Sequence, residues 1–100
     1  MELSETYIVL VNLTQQGITT IKGGPERIER FRQAVEAAGG KVVEWYLTMG
    51  RYDIVGVLQV PDAKTIAKLM LATEAIGTIR TETMRAFTLD EAKEIIASMP

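Results

Sequence analysis

Apolar and polar positions along this chain follow two periods, one suited to strands and one to helices. Tyr7 to Leu13 (Y-I-V-L-V-N-L) is a short β-branched run, too brief for a helix, and predicts a first strand that is apolar on both faces apart from Asn12. Thr14 to Gly23 is polar, with Gly17 and Gly23 as breakers, and reads as a loop. Gly24-Pro25 then opens a helix, because proline's missing N–H costs nothing in a first turn. Ile28, Phe31, Val35 and Ala38 recur at helical spacing, Glu26, Arg27, Glu29, Arg30 and Arg32 take the solvated side, and Gly39-Gly40 ends the element. Lys41 to Thr48 and Tyr52 to Val60 predict a hairpin turning at Met49-Gly50-Arg51. Pro61-Asp62 halts that strand and caps a second helix carrying Ala63, Ile66, Ala67, Leu69, Met70 and Ile76, closed by Gly77. A fourth strand runs from Thr78 to about Phe87. Thr88-Leu89-Asp90-Glu91 has the spacing of a capping box and starts a short terminal helix with Ile95, Ile96 and Met99.

The predicted order is βαββαβ followed by a helix, which is the ferredoxin-like split βαβ arrangement in one α+β domain spanning residues 1–100. Crossover handedness puts both main helices on one face of a four-stranded antiparallel sheet. Strand three then divides into Tyr52, Ile54, Gly56, Leu58 and Val60 under the helices, with Gly56 admitting a close helix, and Asp53, Val55, Val57 and Gln59 on the open face. Strand two divides likewise into Val43, Trp45 and Leu47 against Glu44, Tyr46 and Thr48, with Trp45 expected in the core. A hydrated sheet face bearing Val55, Val57 and strand-one residues is a patch that monomers rarely tolerate. Face-to-face pairing of two sheets removes it, so the expected partner is a second copy, as a homodimer or within a higher oligomer, in a dimeric α+β barrel.

Charge narrows the function. Eleven basic and 13 acidic residues give a net charge of −2 with neither sign gathered into a block, so nucleic acid has no electrostatic footprint to grip. No apolar run approaches the roughly 20 residues of a membrane span, and Met1-Glu2-Leu3-Ser4-Glu5 lacks the basic, then apolar, start of a signal peptide, which makes the cytoplasm the expected location. Cys and His are both absent. That excludes disulfides, thiolate nucleophiles, Ser-His-Asp and Cys-His relays, and metal sites built on thiolate or imidazole. What is left is carboxylate, Tyr, Lys, Arg and Thr chemistry, an oxygen-ligand metal site, or a protein without chemistry of its own; neither a cofactor nor a metal is expected.

Met49-Gly50-Arg51-Tyr52-Asp53, Pro61-Asp62 after strand three, and Thr81-Glu82-Thr83 in strand four carry a resemblance to the GYD family of small bacterial and archaeal proteins. It extends from Tyr7-Ile8-Val9-Leu10 and Thr14-Gln15-Gln16-Gly17 through Lys22, Arg27 and Gly39-Gly40 to Ala86-Phe87. The family motif falls on Gly50, Tyr52 and Asp53. The resemblance implies a dimer of ferredoxin-like protomers and transfers no settled activity. From Val42 to Phe87 the chain is also similar to the ligand-binding domain of the Lrp/AsnC regulators, which share the Gly-x-Tyr-Asp turn and a Thr-rich last strand. Those regulators bind amino acids at subunit interfaces. No room is expected for the helix-turn-helix that would precede such a domain, so transcription control would need a separate partner, and the analogy raises effector binding.

Three groups of candidate residues follow. Tyr52 and Asp53 offer a donor and a carboxylate at a cleft mouth, or else a hairpin in which Gly50 supplies positive φ, Tyr52 packs under a helix and Asp53 bonds turn amides or Arg51; alternation points the pair to opposite faces. Lys22 beside Gly23-Gly24-Pro25 offers an ammonium at a helix start, or ordinary loop chemistry without P-loop spacing. Asn12, Tyr46, Thr48, Asp53 and Glu82 offer a polar pocket over the apolar centre of the open face, or the polar margin of a dimer interface. The leading expectation is a dimeric module binding a small polar or anionic metabolite between sheets or subunits. The alternatives are a small cofactor-free enzyme, monooxygenase- or isomerase-like, acting through Tyr46 or Asp53, and a structural assembly protein. An open aromatic, apolar pocket would favour the enzyme, a closed Lys- or Arg-lined pocket at a subunit contact the effector, and no pocket at all the assembly protein.

Overall fold

The computed structural model describes residues 4–100, so the amino-terminal start Met1–Leu3 weighed above lies outside the described residues. Strands β1 (Glu5–Leu13), β2 (Lys41–Leu47), β3 (Ile54–Val60) and β4 (Ile79–Ala86) and helices α1 (Gln15–Thr19), α2 (Gly24–Ala37), α3 (Ala63–Ala75) and α4 (Leu89–Ala97) follow one another as β1-α1-α2-β2-β3-α3-β4-α4. The sheet order is β2-β3-β1-β4 with every neighbour antiparallel, which is the ferredoxin-like topology.

Register assigns the two faces. Tyr7, Val9 and Val11 of β1 stand opposite Leu58, Gly56 and Ile54 of β3 and face the helices, where they meet Val35 of α2 and Ile66, Leu69 and Met70 of α3 in the buried core. Val35 and Val60 are wholly buried. On the other face Ile8 and Leu10 stand opposite Val57 and Val55, half-buried with no layer over them. Capping holds the helices as their sequences require. Asp62 accepts from the Thr65 amide at 2.9 Å, and Thr88 and Glu91 close a reciprocal capping box.

The structure departs from the strand and loop expectations at four places. Thr14 to Gly23 folds into α1 and a 3-10 turn over Ile21–Gly23, because Thr14 caps the Gly17 amide at 3.1 Å. Gly17 has to be glycine there, since a Cβ would stand 2.1 Å from the Thr78 carbonyl oxygen. In β2 the register slips between Val42 and Glu44, so Val42 faces the helices and packs on the core in place of Val43. Trp45 and Leu47 keep their expected side, but Trp45 is half-buried and Leu47 is 71% exposed. Gly56 admits no close helix, because a Cβ there would meet nothing nearer than the Glu44 carbonyl oxygen at 3.9 Å.

Candidate functional site

The Gly50-Arg51-Tyr52-Asp53 turn is a clamp between strands. Gly50 takes φ 103°, a conformation open to glycine. The Asp53 carboxylate accepts from the Leu13 amide at 2.9 Å, and the Asp53 amide donates to the Val11 carbonyl at 2.9 Å. Thr48 completes the turn: its hydroxyl donates to the Tyr52 carbonyl at 2.6 Å and its amide to the Asp53 carbonyl at 2.8 Å. Asp53 and Thr48 are therefore engaged in holding the hairpin to the end of β1.

Tyr52 does not pack under a helix. The chain bends before β3 begins, and the phenol donates to the Glu82 carboxylate at 2.9 Å. Glu82 stands opposite Leu10 on the open face, so the side chain of Tyr52 bridges β1 to reach β4. That hydrogen bond, with desolvation and the nearby charge, holds the Tyr52 phenol above its ordinary pKa. Asn12 and Glu82, both named from sequence, come together here with Leu10, Arg51, Tyr52 and Arg80 around a hollow of about 470 Å3. Arg51 and Arg80 were not expected there: register sets Arg80 opposite Asn12 on the open face, and the bend that brings Tyr52 onto this face brings Arg51 with it.

The other candidates stand apart. Tyr46 lies in the same cross-sheet row as Val55, Leu10 and Glu82, three strand spacings from Glu82, about 14 Å. Its phenol donates to Glu44 at 2.9 Å, which raises its pKa. Lys22 is exposed in the 3-10 turn at the start of α2, remote from the open face.

A larger cleft of about 600 Å3 opens on the helix side, between the sheet and the amino-terminal half of α2 and carboxy-terminal half of α3. Phe31, Trp45, Leu47, Ile54 and Ile76 give it apolar walls, Gly56 lies in its floor, and its lining includes Arg27 and Arg30 but no Asp or Glu; it is open, apolar and partly aromatic as the enzyme reading requires, but neither Tyr46 nor Asp53, the residues named for that reading, lines it. Sequence periodicity assigned most of these residues to the core; it carries no signal for how far a helix stands from its sheet. Among the described residues no cluster of acidic side chains is arranged to hold a metal ion, and no helix is long and apolar enough to cross a membrane.

The GYD domain model matches residues 7–96 of this sequence. The chain belongs to the GYD domain family. A Thermus thermophilus relative of this GYD protein, the glutamine synthetase and cystathionine beta-lyase binding protein, is 40% identical over 82 residues, covering 81% of this chain and 86% of the relative. Among solved structures, the leucine response regulatory protein of Mycobacterium tuberculosis superposes with TM-score 0.62 at 15% identity, covering 84% of this chain and 51% of the regulator. The feast or famine regulatory protein of the same organism, complexed with L-methionine, gives TM-score 0.63 at 15% identity over 84% of this chain and 50% of its own. A solved protein of Thermus thermophilus gives TM-score 0.54 at 22% identity, covering 84% of this chain and 94% of its own. The chain spans about half the length of the regulators it matches, and likeness at these identities establishes the shared fold.

Proposed function

We propose that this protein is a cytoplasmic homodimeric binding module that docks on enzymes of amino-acid metabolism, of the glutamine synthetase and cystathionine β-lyase kind. The observation that carries this reading is 40% identity, over 86% of its length, to a relative named for binding those two enzymes. The protomer's surface supports it: the apolar row of the open face, the exposed Leu89, Ile95 and Ile96 of α4, and Met99 just beyond it are contact surface without a partner in the protomer. Titrating the purified protein onto glutamine synthetase and cystathionine β-lyase of the source organism in a biosensor tests it. Saturable binding with Kd below about 10 µM to either enzyme, and none to an unrelated enzyme, is expected. Absence of binding to both would end the proposal.

A second reading, a small polar metabolite held at the sheet-to-sheet contact, is favoured by the hollow around Asn12 and Glu82, where Arg51 and Arg80 offer cations to a carboxylate. Its check is a thermal-shift screen of amino acids, organic acids and phosphate esters, since a ligand of the folded state raises the midpoint by mass action. No shift at saturating concentration would remove it.

A further inference from the structure

We propose that the helix-side cleft is a binding site for an amphipathic organic acid, a molecule with an aliphatic or aromatic body and one anionic end. This goes beyond docking on enzymes and needs neither the dimer nor a client. A volume of about 600 Å3 lies inside the range of pockets for small molecules, roughly 300–1,000 Å3. Its walls are the wrong chemistry for a free amino acid or a sugar, because Phe31, Trp45, Leu47, Ile54 and Ile76 offer hydrocarbon surface with few hydrogen-bonding groups among them.

The floor carries the decisive residue. Gly56 sits in a central strand between Trp45 and Val9, where glycine weakens the sheet and a β-branched side chain would strengthen it. Its φ is not positive, so the backbone does not require glycine. No helix needs the space either, since an added Cβ would meet only the Glu44 carbonyl oxygen, at 3.9 Å. What the missing side chain leaves is depth in the cleft.

Charge selects the acid. On a chain of net charge −2, the lining holds two arginines and no carboxylate. Arg30 is paired with Glu26 at 2.8 Å. Arg27 has no carboxylate partner among the described residues; its guanidinium donates to the Thr20 carbonyl at 3.0 Å and keeps donors for an anion. The rival occupant, α4 of a second copy, is too large to enter the cleft and could only lay one face along its mouth. A nine-residue helix about 10 Å across fills roughly 1,000 Å3.

Trp45 is the sole tryptophan and lines the cleft, so its fluorescence reports occupancy directly. Decanoate titrated below its micelle concentration is expected to shift Trp45 emission saturably, and 1-decanol to bind at least about tenfold more weakly. Gly56→Val is expected to keep the circular dichroism spectrum and unfolding midpoint, or raise the midpoint, while abolishing the shift. Arg27→Gln, an α2 surface change that leaves the core alone, is expected to weaken decanoate about fivefold or more and leave decanol unchanged. Three results would overturn the proposal: no saturable response to decanoate, equal binding of acid and alcohol, or decanoate binding that either substitution leaves unchanged. An emission already blue-shifted that moves only on dilution would assign the cleft to a second copy and overturn it as well.

Discussion

Adjacent residues of the Gly-x-Tyr-Asp turn do separate work. Asp53 satisfies the Leu13 amide at 2.9 Å where β1 leaves the sheet, so its loss orphans a half-buried donor. Asp53→Ala is expected to lower unfolding free energy by about 1–2 kcal/mol in urea titration, and Asp53→Asn by less, because its amide oxygen still accepts. Tyr52 acts through a proton. Its phenol is held above the ordinary pKa of 10.0, first by its hydrogen bond to Glu82, then by desolvation and the carboxylate's charge. A group whose folded pKa is raised contributes stability that is full below the unfolded value and is lost as pH rises through the folded one. Wild type is therefore expected to lose stability above pH 10 more steeply than Glu82→Ala. Phenolate absorbance, which reads Tyr7, Tyr46 and Tyr52 together, is expected to show one tyrosine of that variant titrating nearer 10.0.

Among the elements, α4 differs from the rest. Its capping box is complete, yet Leu89 is 71% exposed and Ile96 65%, and nine residues make a helix that is marginal alone in water. Removing the cap should thus be a local event: Thr88→Ala is expected to speed amide exchange across 89–97 by an amount matching about 1 kcal/mol while the global midpoint barely moves. The order of the four strands and two main helices was legible from sequence because the helices have a clean apolar period, the strands are rich in β-branched residues, and boundaries are marked, Pro25 and Gly39-Gly40 around α2, Pro61-Asp62 before α3. The slip at Val42 and Glu44 was not, since Lys41-Val42-Val43-Glu44 satisfies either parity until a partner strand fixes it. Nor was α1, whose polar, glycine-bearing sequence forms a helix through the Thr14 cap and contact with Thr78. Of the candidate residues, Asn12 and Glu82 share a hollow as alternation allowed. Tyr52 joined them because a bend before β3 broke the alternation that had sent it to the other face. The cleft was illegible for another reason: periodicity says which side of a strand faces the helices, and nothing about their distance from it.

At the scale of the molecule, the open face and its register make the proposed dimer testable. The protomer is slab-like, 51 × 30 × 18 Å, and one broad surface is the open sheet. Two cross-sheet rows define that face: Glu44, Val57, Ile8 and Met84, and beside it Tyr46, Val55, Leu10 and Glu82. In each row the two central strands supply aliphatic residues, and the outer positions are polar or, at Met84, 45% exposed. A two-fold partner laid on this face would cover the aliphatic centre and leave the tyrosine and glutamate positions at its margin, the usual anatomy of a stable interface. Val55 is on a central strand and half-buried, so Val55→Glu would place a carboxylate from each copy into the aliphatic centre of the contact. Burying an unpaired charge costs several kcal/mol, and symmetry imposes it twice. The substituted side chain stays hydrated in a monomer and leaves the helix-side core untouched. Light scattering is therefore expected to give twice the 11.1 kDa chain mass for wild type and one chain mass for Val55→Glu at micromolar concentration, with the monomer's circular dichroism unchanged. A wild-type protein of one chain mass, or a Val55→Glu dimer as tight as wild type, would show that the sheet face is not where two copies meet.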